Sequence, residues 1–170
     1  MLAKIAFVSL AAATLAACGS GDGTSISINA AGDDGDNMTA AMTQNGQLAI
    51  NLPGGFSGNI KLPKLKINAE NFDMNGVKLF PGSTISSMNI DAKDNAAGKD
   101  SGKVRIAFES PATPTKVRDW FLDKLSKEAG FTIAANGNAL TGTTDEKQPF
   151  RLDLAADGAD KSKGTIVIGE

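Results

Sequence analysis

The stretch KVRIAFESPATPTKVRDWFLDKLSKEAGF, residues 103–131, decides the fold. It opens as a strand: Val104, Ile106 and Phe108 alternate with Arg105, Ala107 and Glu109, the period of two that turns one face to a core. It then becomes helical. Thr113 stands at the N-cap and Pro114 at the first helical position, where its missing N–H leaves nothing unsatisfied. At about 100° per residue, Val117, Phe121, Leu122, Leu125 and Ala129 fall in one stripe about 140° wide. Trp120 covers the edge of that stripe, and Glu128 interrupts it only in the last turn, near water. Gly130 suits the C′ position, and Phe131 can close that end with an apolar contact. A helix over 114–129 is expected to lay its stripe on a sheet.

The flanking sequence supplies the sheet. Ile85, Met88 and Ile90 predict a strand before residue 103, with a loop over 92–102. After the helix come extended residues 131–135, a turn at Asn136-Gly137, and a strand over 139–143. Alternating runs follow at 150–154 and 165–168. Strand, strand, helix and three or four strands make an α+β layer fold, an antiparallel sheet with one helix on one face. Upstream, residues 25–80 read as short strands with close turns and no helical period. Asn45-Gly46 predicts a type I′ hairpin turn between runs at 38–43 and 47–52. Residues 56–62, 64–68 and 77–80 are further short extended stretches. Pro81-Gly82 marks a boundary, dividing the chain into a β-rich region, 25–80, and an α+β domain, 81–170.

The amino terminus is of a different kind. Met1 to Lys4 is a short basic start, and residues 5–17 are an apolar run broken only by Ser9 and Thr14. That run is shorter than the roughly 20 residues a membrane-spanning helix needs, and it reads as a signal peptide over 1–17. It ends at Leu15-Ala16-Ala17-Cys18, and Cys18 is the only cysteine in the chain. These four residues resemble the lipobox of bacterial lipoproteins. The resemblance implies cleavage before Cys18, diacylglycerol on its thiol and acylation of its new amine. Leu15, Ala16 and Ala17 then serve as the peptidase recognition residues. Gly19, rather than Asp, follows the cysteine. By analogy with sorting in enteric bacteria, this implies the periplasmic face of the outer membrane. Residues 18–24 read as a flexible, lipidated tether.

A second resemblance rests on Pro81-Gly82-Ser83, Phe108-Glu109-Ser110-Pro111, Pro114, Trp120-Phe121 and Gly130-Phe131. This layout, over about residues 81–168, is similar to the α+β domains of the C lipoprotein of the outer-membrane β-barrel assembly machinery. Its motifs are caps, turns and core aromatics; they imply a fold and carry no chemistry.

Composition narrows the chemistry. Histidine and tyrosine are absent, and the net charge is −2, so nothing in the charge favours nucleic acid. Without histidine, and with Cys18 committed to lipid, Ser-His-Asp and Cys-His nucleophiles and His/Cys zinc sites are excluded. No Ser-x-x-Lys or phosphate-loop pattern occurs. Asp33, Asp34, Asp36 and Asn37 are the best oxygen-donor cluster for Ca²⁺, but EF-hand spacing fails and a solvated loop is the plainer reading. Lys61, Lys64 and Lys66 suit either anionic headgroups or protection of a sheet edge. The resulting expectation is a non-enzymatic, lipid-anchored envelope protein, without cofactor, that binds or scaffolds an envelope partner. The alternatives are a carboxylate-based or Ca²⁺-dependent hydrolase, and a periplasmic sensor or inhibitor of another envelope protein.

Overall fold

A computed structural model describes residues 23–31, 37–94 and 100–169. Its elements are β1 (Ser25–Ala31), β2 (Asn37–Met42), β3 (Gln47–Leu52), β4 (Phe56–Lys61), β5 (Thr84–Asp94), β6 (Asp100–Ser110), α1 (Pro114–Lys127), β7 (Thr132–Asn136), β8 (Ala139–Thr143), β9 (Pro149–Ala156) and β10 (Ser162–Ile168). All ten strands form one sheet, in the order β4-β3-β2-β1-β5-β6-β10-β9-β8-β7. The fold is α+β, one large mixed sheet with a single helix packed on it. From β5 onward every pairing is antiparallel. The parallel pair, β1 with β5, joins the two halves of the sheet across the boundary expected at Pro81-Gly82. A parallel pair needs a long return connection; here β2, β3, β4 and residues 62–83 provide it.

One register row shows how the sheet is built. Ile60, Leu48, Met42, Ile26, Met88, Ile106, Ile166, Leu152, Leu140 and Ala135 are successive partners across all ten strands. Every member is apolar, so one face of the sheet is apolar from edge to edge. α1 covers the β7 to β10 part of that face and reaches β6 through Phe121, with Val117, Phe121 and Leu125 fully buried. Phe121 meets Phe108 of β6, ring centroids 5.8 Å apart. Gly130 has φ +71°, and buried Phe131 donates its N–H to the Leu125 carbonyl (3.0 Å), closing the helix as expected. Thr113 occupies the N-cap position with extended backbone, but its hydroxyl makes no capping bond. The helix is tied to the β7–β8 turn by Arg118 Nη1, which donates to the Gly137 carbonyl (2.6 Å).

A second piece of cover was not foreseen. Residues 64–68 and 77–80, expected as extended stretches, are not strands. Residues 62–83 form an irregular strap with isolated bridges at Asn68–Thr84 and Met74–Val77. Pro63 has no N–H to give a ladder. The strap bonds sideways instead: Thr24 N–H to Leu65 O (2.7 Å), Ile85 N–H to Ile67 O (2.8 Å) and Ala69 N–H to Ser83 O (2.9 Å). Ala69, Met74, Val77 and Leu79 are its buried contribution to the core. Phe80 meets Trp120 edge to face at 6.0 Å, so strap and helix touch.

Three local expectations change. The tether expected over 18–24 stops short of its last residues, because Gly23 and Thr24 are buried. Thr24 Oγ1 donates to Ile85 O (2.6 Å) and accepts from Ile67 N–H (3.0 Å). The type I′ turn falls at Asn75-Gly76, where φ is +56° and +85°, not at Asn45-Gly46. At the latter only Gly46 is left-handed, and Gly46 N–H bonds Thr43 O (2.9 Å) in a three-residue loop. The long loop expected over 92–102 shortens, because β5 and β6 pair out to Asp94 and Asp100.

Candidate functional site

The working surface is built from β4 upward. Pro53-Gly54-Gly55 ends β3, and Gly54 and Gly55 have φ +85° and +83°, which lets the chain reverse tightly into β4. The register then pairs Leu52 with Phe56, Ile50 with Gly58 and Leu48 with Ile60. Phe56 and Ile60 therefore share the apolar face, but nothing from α1 reaches this far: the helix packs on β7 to β10. Phe56 is 74% exposed and Ile60 53%. Met38, Leu52, Leu62 and Leu65 are also exposed, and all the exposed large apolar side chains among the described residues lie between positions 38 and 65.

The opposite face of the same wing is polar and internally bonded. Ser27 Oγ donates to Asn89 Oδ1 (3.0 Å), Asn29 Nδ2 to Asp91 Oδ1 (2.8 Å) and Asn51 Nδ2 to Thr39 Oγ1 (3.2 Å). The wing is thus two-sided, with a wet ladder behind and an uncovered apolar sheet in front. Lys61 ends β4, and Lys64 and Lys66 follow on the strap; all three are exposed. From Asn37 to Ala69 these are the only charged residues, with no Asp or Glu.

The other sequence-level candidates separate from this surface. Cys18, the recognition residues Leu15, Ala16 and Ala17, and the Ca²⁺ candidates Asp33, Asp34 and Asp36 lie outside the described residues. Among the described residues, a cleft of ≈ 300 Å³ is lined in part by Asn29, Met38, Asp91 and Ala92. No group of three or more His, Cys, Asp or Glu side chains among the described residues is arranged to hold a metal. No helix among them is long and apolar enough to cross a membrane.

Displaced pKa values occur away from the wing. Asp123 is held below its ordinary value, chiefly by the hydrogen bond from Lys127. Lys124 is raised chiefly by its bond to Glu128, and Arg151 by its bond to Asp153. All are exposed surface pairs, the usual setting for ion pairs rather than for acid–base chemistry.

Sequence reasoning missed the exposed set Met38, Leu52, Phe56, Ile60, Leu62 and Leu65. Alternation marks which side chains share a face, not whether anything covers it. A usable signal was present, the acid-free run from 37 to 69. No family model, curated protein or solved structure matches this chain.

Proposed function

We propose that this protein is a lipid-anchored lipoprotein of the bacterial cell envelope with a non-enzymatic binding or scaffold role. The observation that carries the reading is the position of Cys18. It follows Leu15-Ala16-Ala17, is the only cysteine, and lies six residues before Thr24, whose side chain is the first among the described residues to be bonded into the fold. A leader cut before Cys18 would leave an acylated amino terminus and an intact domain. Two or three acyl chains, at about 0.8 kcal/mol per buried CH₂, anchor stably where one does not. Gly19 after the cysteine favours the periplasmic face of the outer membrane. In this reading the four short strands β1 to β4 are a wing distinct in use from the helix-covered half.

The test is the mass of the amino-terminal peptide of protein purified from membranes. The expected result is a peptide starting at Cys18 and carrying diacylglyceryl and amide-linked acyl mass. A mature protein starting elsewhere, or without acyl mass, would refute the reading. Crosslinking in intact cells, read by identifying the joined protein, is expected to recover an envelope partner through the helix-covered half.

A further inference from the structure

We propose that the uncovered apolar face of the β1–β4 wing seats on an anionic lipid bilayer, so that the protein meets the membrane through a sheet face as well as through its acyl chains. The inference rests on the lipid-anchored reading above and adds an orientation to it.

Three observations converge on that occupant. The first is the chemistry of the patch: Phe56, Ile60, Leu62 and Leu65 are exposed close in the chain to Lys64 and Lys66 on the strap, while Lys61, on the Asn59 face of β4, ends the edge strand. Apolar side chains that enter the acyl boundary, with lysines reaching phosphate headgroups, are the composition of an interfacial binding surface. The second is charge. A chain of net charge −2 keeps every carboxylate out of positions 37–69 while placing three lysines there. An acidic protein partner would explain the lysines, but it would leave Phe56 and Ile60 facing a charged surface. An anionic bilayer satisfies both groups. The third is chain entry. Thr24 is six positions from Cys18, at most about 20 Å of extended chain. Thr24 N–H bonds Leu65 O, and Leu62 N–H bonds Gly46 O, both at 2.7 Å. The point where the chain enters the fold is therefore beside the lysine-bearing strap. Ile26, two residues on, stands in the same register row as Ile60. An anchor at Cys18 holds this end of the sheet near the headgroups, where weak contacts act at high effective concentration.

The test uses protein extracted from membranes and reconstituted in vesicles of phosphatidylethanolamine and phosphatidylglycerol. A fluorophore is attached at Ile60→Cys on the apolar face or, as control, at Asn59→Cys on the polar face. Both positions are exposed, and far-UV circular dichroism checks that each variant keeps its sheet. Lipids brominated on their acyl chains are expected to quench the label at 60 at least twofold more than the label at 59. Replacing phosphatidylglycerol with phosphatidylcholine should remove most of that difference, since each lysine near an anionic surface contributes about fivefold in partitioning. Equal quenching at 59 and 60, undiminished quenching at 60 in phosphatidylcholine, or a label at 60 shielded by a crosslinkable second copy would each overturn the proposal. Amino-terminal mass, measured on the same samples, separates the two readings. With acyl mass present, an unquenched label at 60 defeats the bilayer seat alone; without acyl mass, both fall.

Discussion

Single side chains decide whether the strap and the sheet stay together. Thr24 is the clearest case, because one buried hydroxyl serves both Ile85 O and Ile67 N–H. Thr24→Val keeps the shape and removes both bonds, leaving buried polar groups unpaired. A loss of about 1–3 kcal/mol is expected, read as a lower urea midpoint. Gly164 has the opposite sensitivity. A Cβ there would sit 2.2 Å from Phe108 Cζ, and that ring is already held against Phe121. Gly164→Ala should therefore destabilise by about 1–3 kcal/mol through overpacking; an unchanged thermal midpoint would show that Phe108 can move. A backbone bulge between Ile85 and Ser87 accounts for the odd spacing of Ile85 and Met88. The extra residue returns both side chains to the core face, where strict alternation would have sent one outward.

At the scale of elements, α1 behaves as its sequence predicts. Phe121 is fully buried, and Phe121→Ala should cost roughly 3–5 kcal/mol in chemical denaturation. Its outer surface carries the Asp123–Lys127 and Lys124–Glu128 pairs, each four residues apart. Asp123 is depressed below 3.8 by the bond from Lys127. A carboxylate with a lowered folded pKa adds stability above its unfolded pKa and loses it as pH falls through the folded value. The Asp123 contribution is therefore intact near neutrality and lost below about pH 4. A carboxyl NMR titration should place the Asp123 midpoint below that of Asp123 in the Lys127→Ala variant. The pair is exposed and will be weakened by salt. The strap shows the reverse of α1. Its residues alternate well enough to suggest strands, yet Pro63 interrupts them, and bonds to Thr24 and Ile85 hold the strap to the sheet while Ala69 N–H to Ser83 O closes it on itself.

For the molecule as a whole, one apolar row crosses ten strands while its cover stops partway. Ile106, Ile166, Leu152 and Leu140 are buried, whereas Ile60 in the same row is 53% exposed. Stability should follow that gradient, since local opening is cheapest where few apolar contacts are lost. Backbone amides in the middle of β10 are expected to exchange only through global unfolding. Those of β3 and β4 should exchange orders of magnitude faster in the detergent-solubilised protein. Uniform protection across the sheet, measured by hydrogen exchange, would contradict this view of the wing. β1, the first strand of the described chain, stands on the open side of that gradient, three strands in from the β4 edge.

The sequence alone determined the α+β class, the helix and its buried stripe, a turn after β7 (one residue later than expected, at Gly137-Asn138) and most of the strands. These depend on periodicity and local backbone preference, which act between near neighbours. The proposed lipidation at Cys18 also rests on sequence alone, because its likeness to a lipobox is read as a linear motif. Only the tertiary structure decided that β1 joins β5 in parallel, that Thr24 is buried and that residues 62–83 form a strap. Those outcomes depend on contacts such as Thr24 with Ile85, 61 positions apart. Exposure of Phe56 and Ile60 was equally beyond local reading: alternation assigns a side chain to a face, but the reach of one helix over ten strands sets which part of that face is covered.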